Sequence, residues 1–387
     1  MVGVPARGTP ALISRLTRCR PETEQELMST NGICEAGTSA SSGEYRVRVT
    51  APRRRALPLV SPRANAARTA PPSKFTAAAT AAWFIGQASA LAALAAITAG
   101  LWLAPSLALR VLWGGLVPLL PTMLLIHPGL WRNICPLATL NMLVASRHGT
   151  RKLSPQAGLT TGNVGIALVF LLIPARRLLL NTDATATAAL LGAMGVTAII
   201  LGIFFERKAG YCNAICPMLP IERLYGQAPL LEVGNRRCDG CSVCTARGCL
   251  DLAPRKSIAQ MLGPSRRSVA WLRRPFGMFA AAFPGVALGY FLAPGATPGA
   301  ALTVYLTVMG CAAASYVLGV AAVLALRLSA RAAMTGFAAT AIGIFYWFSA
   351  AQVTMIWSLA AGAVWAIRGL ALLLIALWIS HRVRRAV

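Results

Sequence analysis

The sequence predicts an all-α, polytopic helical membrane protein with about eight transmembrane helices. Two features carry this prediction. Hydrophobic residues make up 56% of the 387-residue chain and charged ones only 12%, where soluble domains run at about 25% charged. The charges are also segregated. Lys and Arg number 37 against 11 Asp and Glu, a net charge of +26, and they lie between long uncharged stretches. Charge of that size on a soluble chain would point to nucleic acid. Placed between apolar runs it reads as membrane topology, so no nucleic-acid partner is expected and membrane lipids are. The same composition argues against a disordered chain, a secreted disulfide scaffold and a typical soluble enzyme.

A membrane-crossing helix needs roughly 20 mostly apolar residues. No Asp, Glu, Lys or Arg occurs in Phe75–Leu109, Val111–Trp131, Leu153–Ala175, Ala184–Phe205, Pro275–Leu326 or Ala332–Ile367. The run from Pro275 has 52 residues and a Pro/Gly-rich break at Pro294–Pro298, so it reads as two helices. The expected spans lie near 77–103, 109–127, 157–175, 184–205, 276–293, 300–326, 332–350 and 354–379. Pro118 and Pro121 should kink the second. Trp83, Trp102, Trp113, Trp131, Trp271 and Trp378 fall in or near span ends, as an interfacial aromatic belt would.

Basic residues orient these spans, because cytoplasmic loops carry the excess of Lys and Arg. Residues 1–76 carry 12, loop 128–156 four, loop 206–274 twelve, loop 327–331 two and the C-terminus three. Both termini are therefore expected in the cytoplasm, in an inner (cytoplasmic) membrane. Arg110, Arg176 and Arg177 stand apart from this pattern, at the outer ends of spans. Arg368 lies inside the last span, where an Arg costs roughly 2.5–3.5 kcal/mol on insertion scales. It is a candidate for a quinone or lipid contact.

Four regions follow. Residues 1–76, rich in Pro, Arg, Ser and Ala, read as a disordered basic cytoplasmic tail; Met28 is an alternative start, and Cys19 and Cys34 receive no role. Residues 77–205 form a four-helix membrane half that includes the first Cys-Pro loop. Residues 206–274 form a cytoplasmic loop, and 275–387 a second four-helix half.

Seven of the ten cysteines fall in the two large cytoplasmic loops. A reducing compartment argues for metal there rather than disulfides. Cys238, Cys241, Cys244 and Cys249 form C-x2-C-x2-C-x4-C, with Gly240 and Gly248 permitting a tight wrap. Four soft thiolates at this spacing suit a [4Fe-4S] cubane. The common bacterial run has x3 before the last Cys and Pro after it, where this one has x4 and Leu250. Structural zinc is the alternative, but its two knuckles are usually about 15–20 residues apart.

A second signal is Cys212-Asn-Ala-Ile-Cys216-Pro217, directly after a span. It aligns with Trp131-Arg-Asn-Ile-Cys135-Pro136 after another span, Trp131 standing where Cys212 stands. Two spans plus one Cys-Pro element, repeated, look like a weak internal duplication. Cys212, Cys216 and Cys135 are candidates for a redox pair or for additional metal ligands, with His148 within reach in sequence. His127 at a helix end, and His148 and His381 outside the spans, do not suit haem between helices.

These residues resemble the membrane-bound ferredoxin-like [4Fe-4S] proteins of the NapH, NosR and FixG/RdxA type, over about residues 80–255. The resemblance implies a cytoplasmic ferredoxin-like iron–sulfur loop. It also implies electron transfer between the quinone pool, or a membrane flavin, and a redox partner. The alternative is an assembly or regulatory membrane protein for a respiratory metalloenzyme, with the cluster as a redox or metal-handling element. The chain departs from the family in having one ferredoxin run rather than two, x4 spacing, and Trp131 in place of the first Cys of the first element. A transporter with a zinc loop is disfavoured, since no Asp or Glu falls inside any span.

Overall fold

A computed structural model describes residues 77–231, 250–251, 254–262, 269–295 and 299–384. The expected N-terminal tail and the cysteines at 238, 241, 244 and 249 lie outside the described residues.

Among the described residues the protein is all-α. Eight helical stretches are long and apolar enough to cross a membrane. The chain runs through α1 (Ala77–Leu103), α2 (Pro105–Val111), a π turn (Leu112–Leu116) and α3 (Val117–Ile126). The short α4 (Pro128–Ile134) and α5 (Pro136–Ala145) follow, then α6 (Pro155–Ala175), a second π turn (Arg176–Leu180) and α7 (Ala184–Phe204). A third π turn (Tyr211–Ile215) leads to α8 (Met218–Tyr225), α9 (Pro254–Leu262) and a 3-10 turn (Val269–Arg273). Four helices finish the chain: α10 (Pro275–Leu292), α11 (Ala301–Ala325), α12 (Ala330–Ile356) and α13 (Gly362–Arg384). The 52-residue uncharged run is indeed two helices, α10 and α11.

Starts and stops follow local chemistry. Pro opens α2, α4, α5, α6 and α10, where its missing N–H costs nothing. Ser154, Asp183 and Ser329 cap α6, α7 and α12 by accepting from Ala157, Ala186 and Ala332. His127 caps α4, its Nδ1 accepting from Leu130 N–H at 2.9 Å while the residue is 2% exposed.

The second span is irregular where its prolines predict. Pro118 has no N–H to give, and the Gly114 carbonyl accepts from the Trp357 indole instead, at 3.1 Å. One turn on, the Tyr346 hydroxyl enters the helix ladder. It accepts from Thr122 N–H at 3.2 Å and donates to the Pro118 carbonyl at 2.7 Å. Side-chain insertion of this kind is a recognised cause of helix bending.

In the second half, α10 is the central helix: 72% of its apolar window is buried, against a third or less for the other seven spans. Gly285 and Gly289 make this possible. A Cβ on Gly285 would stand 2.0 Å from the Cys311 carbonyl oxygen, so α11 lies directly on its backbone. Phe279 packs on Phe283 with tilted rings, 4.9 Å between centroids, and meets Phe170 of α6 edge-on. Trp271 and Trp378, expected at the interface, are 1% and 0% exposed and belong to this core. Their position near span ends carried no information about which side of the helix they occupy. Trp102, by contrast, is 66% exposed.

Candidate functional site

At the end of the bundle where the large loops emerge, the two Cys-Pro elements meet. Each is a helical turn broken at a cysteine. Cys135 has φ −54 and ψ 125, and Cys216 has φ −58 and ψ 123. The shared geometry has a shared cause, since a residue before proline is pushed out of the helical region. A new helix, α5 or α8, starts immediately afterwards. Small residues let the spans approach these turns. A Cβ at Gly165 of α6 would lie 2.9 Å from the Cys216 carbonyl oxygen, and one at Gly86 of α1 would touch Ile134 at 3.4 Å.

Around Cys212, Tyr211, Ala138 and Ala198 form a small buried cluster, with Cys135 and Cys216 packed against it. The sequence candidates Cys135, Cys212 and Cys216 are thus brought together, although 81 residues separate the two elements. All three are free thiols. Burial pushes the Cys135 thiol up to about 11 and the Cys212 thiol up to about 12. It raises Cys216 as well, with Glu222 adding to the effect. The free thiols are therefore protonated at neutral pH, and a metal bound there would have to displace those protons. Among the described residues no three His, Cys, Asp or Glu side chains gather closely enough to hold a metal ion. His148, exposed beyond α5, does not join them.

Beside the thiols lies a buried charge network that the sequence reading missed. Arg132 Nη1 donates to Glu222 Oε2 at 2.7 Å, and Arg132 Nε pairs with Asp251 Oδ1 at 3.2 Å. Lys208 Nζ donates to Asp251 Oδ2 and to Asn133 Oδ1, both at 2.6 Å. Arg132 Nη2 donates to Asn213 Oδ1. Arg132, Lys208, Glu222 and Asp251 are each 2–3% exposed. Among the described residues two cations face two anions. Burial raises the Glu222 carboxyl and Arg132 opposes that rise. Gln87, buried in α1, donates to the Asn133 carbonyl at 2.9 Å and ties the first span to the same cluster.

Both edges of the cysteine-rich segment are fastened, the second by this network. Before it, Leu230 and Leu231 N–H groups donate to the Leu125 and Ile126 carbonyls at 3.1 and 2.9 Å. After it, Leu250 is buried and Asp251, two residues beyond Cys249, holds the ion pairs just described. The sequence offered one usable signal, the scarcity of acids: Glu222 and Asp251 are two of only 11. It also counted Lys208 and Arg132 as surface topology charges, whereas both are spent internally.

Arg368 lies elsewhere, six residues into α13, toward the opposite end of the bundle. Its Nε donates to the Trp347 carbonyl at 3.0 Å, and its guanidinium lies 4.2 and 5.0 Å from the Trp347 and Trp365 rings.

Comparison with protein-family models, with curated proteins and with solved structures gives no match. The class that the fold defines is a multi-pass helical membrane protein.

Proposed function

We propose that the protein is an electron-transfer protein of the inner (cytoplasmic) membrane, with both termini cytoplasmic. It relays electrons between the quinone pool, or a membrane flavin, and a redox partner through one [4Fe-4S] cluster on Cys238, Cys241, Cys244 and Cys249. Once bound, the cluster supplies one-electron transfer. The donor set suits it: four thiols at cubane spacing, with no competing disulfide chemistry in a reducing compartment.

The observation that carries this reading is the anchoring of Asp251. A loop built only to connect two spans has no need of a buried, doubly paired carboxylate two residues after its last cysteine. Asp251 fixes that end of the run to Lys208 and Arg132, and hence to the membrane-face turns that hold Cys135, Cys212 and Cys216. This supports a cysteine run whose following residue is held at the bundle end. Three thiols at the Cys-Pro turns are one short of the four that a second complete cluster would require, which supports a packing or relay role for those turns.

The test is metal analysis. Protein purified without oxygen should contain about four iron and four sulfide per chain, and Cys241→Ala should remove most of both. One zinc and no iron would overturn the proposal.

A further inference from the structure

Three arginines broke the basic-residue pattern, and the structure brings two of them to one place. At the end of the bundle opposite the cysteine loops lies an open cavity of about 600 Å³, with Arg110 and Arg176 among its lining. The third, Arg177, is spent on the Ala293 carbonyl at 3.0–3.2 Å.

Arg176 is held in place. Its guanidinium lies 4.4 Å from the Trp113 ring and 5.0 Å from the Tyr290 ring. Its Nε donates to Asn181 Oδ1 at 3.0 Å, and Asn181 Nδ2 donates in turn to the Tyr290 hydroxyl at 2.9 Å. Trp113 is itself fixed by donating to the Leu180 carbonyl at 2.7 Å. Neither terminal nitrogen of Arg176 has a hydrogen-bond partner among the described residues, and no carboxylate lines the cavity. Arg110 forms no ion pair among the described residues either.

Trp113 and Arg176 both come from π turns, Leu112–Leu116 and Arg176–Leu180. Such turns inside long helices occur frequently at functional sites. Gln352 adds a polar group, and Leu109, Met355 and Ile356 supply apolar wall.

We infer that this cavity binds the phosphate of an anionic membrane lipid. Two uncompensated guanidiniums at the end of membrane helices favour an anion over a neutral carbonyl. Guanidinium matches phosphate with paired donors. The apolar wall suits the first carbons of acyl chains, and the volume lies within the usual range for ligand sites. Trp113 and Tyr290 hold the cation without neutralising it, because a ring face attracts the charge but brings no anion.

The experiment uses the full chain, stripped of lipid in neutral detergent and titrated with short-chain phosphatidylglycerol, with native mass spectrometry as readout. One phosphatidylglycerol per chain should be retained, and short-chain phosphatidylcholine should not replace it. Arg176→Gln and Arg110→Gln should each weaken binding about tenfold or more, the expected loss of a hydrogen bond to a charged group. Arg110→Gln removes no hydrogen bond or ion pair among the described residues, so it reads binding even if Arg176→Gln folds poorly. Displacement by millimolar inorganic phosphate would identify the phosphate alone as the recognised group. Resistance to it would identify the whole lipid. Either supports an anion site. Equal retention of phosphatidylcholine, unchanged binding in Arg110→Gln, or displacement by a short-chain quinone but by no anion would overturn it. The outcome is independent of iron content.

Discussion

Asp251 and Lys208 pair across 2.6 Å in a site nearly sealed from water. One lies just beyond the cysteine run and the other just beyond a membrane span. Their contact ties the cysteine-bearing segment to the bundle. Arg132 pairs with the same carboxylate at 3.2 Å and donates through another nitrogen to Asn213, its counterpart 81 residues later in the repeated element. The two Cys-Pro turns and Asp251, just past the cysteine run, therefore share one polar centre.

Breaking that centre should be costly. Asp251→Asn or Lys208→Met breaks the shortest ion pair of a buried network, and removing one member of a buried pair typically costs about 3–5 kcal/mol. Detergent-unfolding measurements should show a loss of that order, and iron content should fall with it. The double change Lys208→Met with Asp251→Leu removes both charges and should cost clearly less than the sum of the two single changes. Full additivity would mean that the pair is not coupled.

The buried thiols set an alkaline limit. Their folded values, about 11 for Cys135 and about 12 for Cys212, lie above the ordinary 9.0. Below pH 9 both folded and unfolded chains hold these protons, and the stabilisation is fully present. Above pH 9 the unfolded chain releases them first, so stability falls as pH rises toward 11. The slope approaches about 1.4 kcal/mol per pH unit for each thiol. Melting temperatures between pH 8 and 10.5 should drop more steeply in the native chain than in a variant with Ala at 135, 212 and 216. Parallel curves would remove the thiols from the account.

Topology is checked by reporter fusions. Gly210 and Gly295 stand at opposite ends of the bundle, and the proposed orientation has Gly210 in the cytoplasm. A cytoplasm-active reporter should work at Gly210 and a periplasm-active one at Gly295. Activity of one reporter at both positions would refute the arrangement.

The eight spans were legible in the sequence because a bilayer imposes a length and forbids uncompensated charge, and both constraints act along the chain. Charge-free runs and their breaks could be counted, and most helices begin and end within a few residues of the expected bounds; the exception is the last break, expected near 351–353 and found at 357–361, where no charge or proline marks it. The pairing of Cys135 with Cys212 and Cys216 was half-legible, through the repeated Ile-Cys-Pro. Proline fixed the turn, but sequence gave no distance between the two copies. The partnership of Arg132 and Lys208 with Glu222 and Asp251 was decided only by the tertiary structure. A charge near a membrane face looks the same in sequence whether it snorkels to water or is buried against an acid 43 or 90 residues away. The same holds for Arg110 and Arg176, which the sequence marked only as misplaced. Their meeting in one cavity depends on two π turns and on how four spans pack, and burial and pairing are properties of that packing rather than of any local pattern.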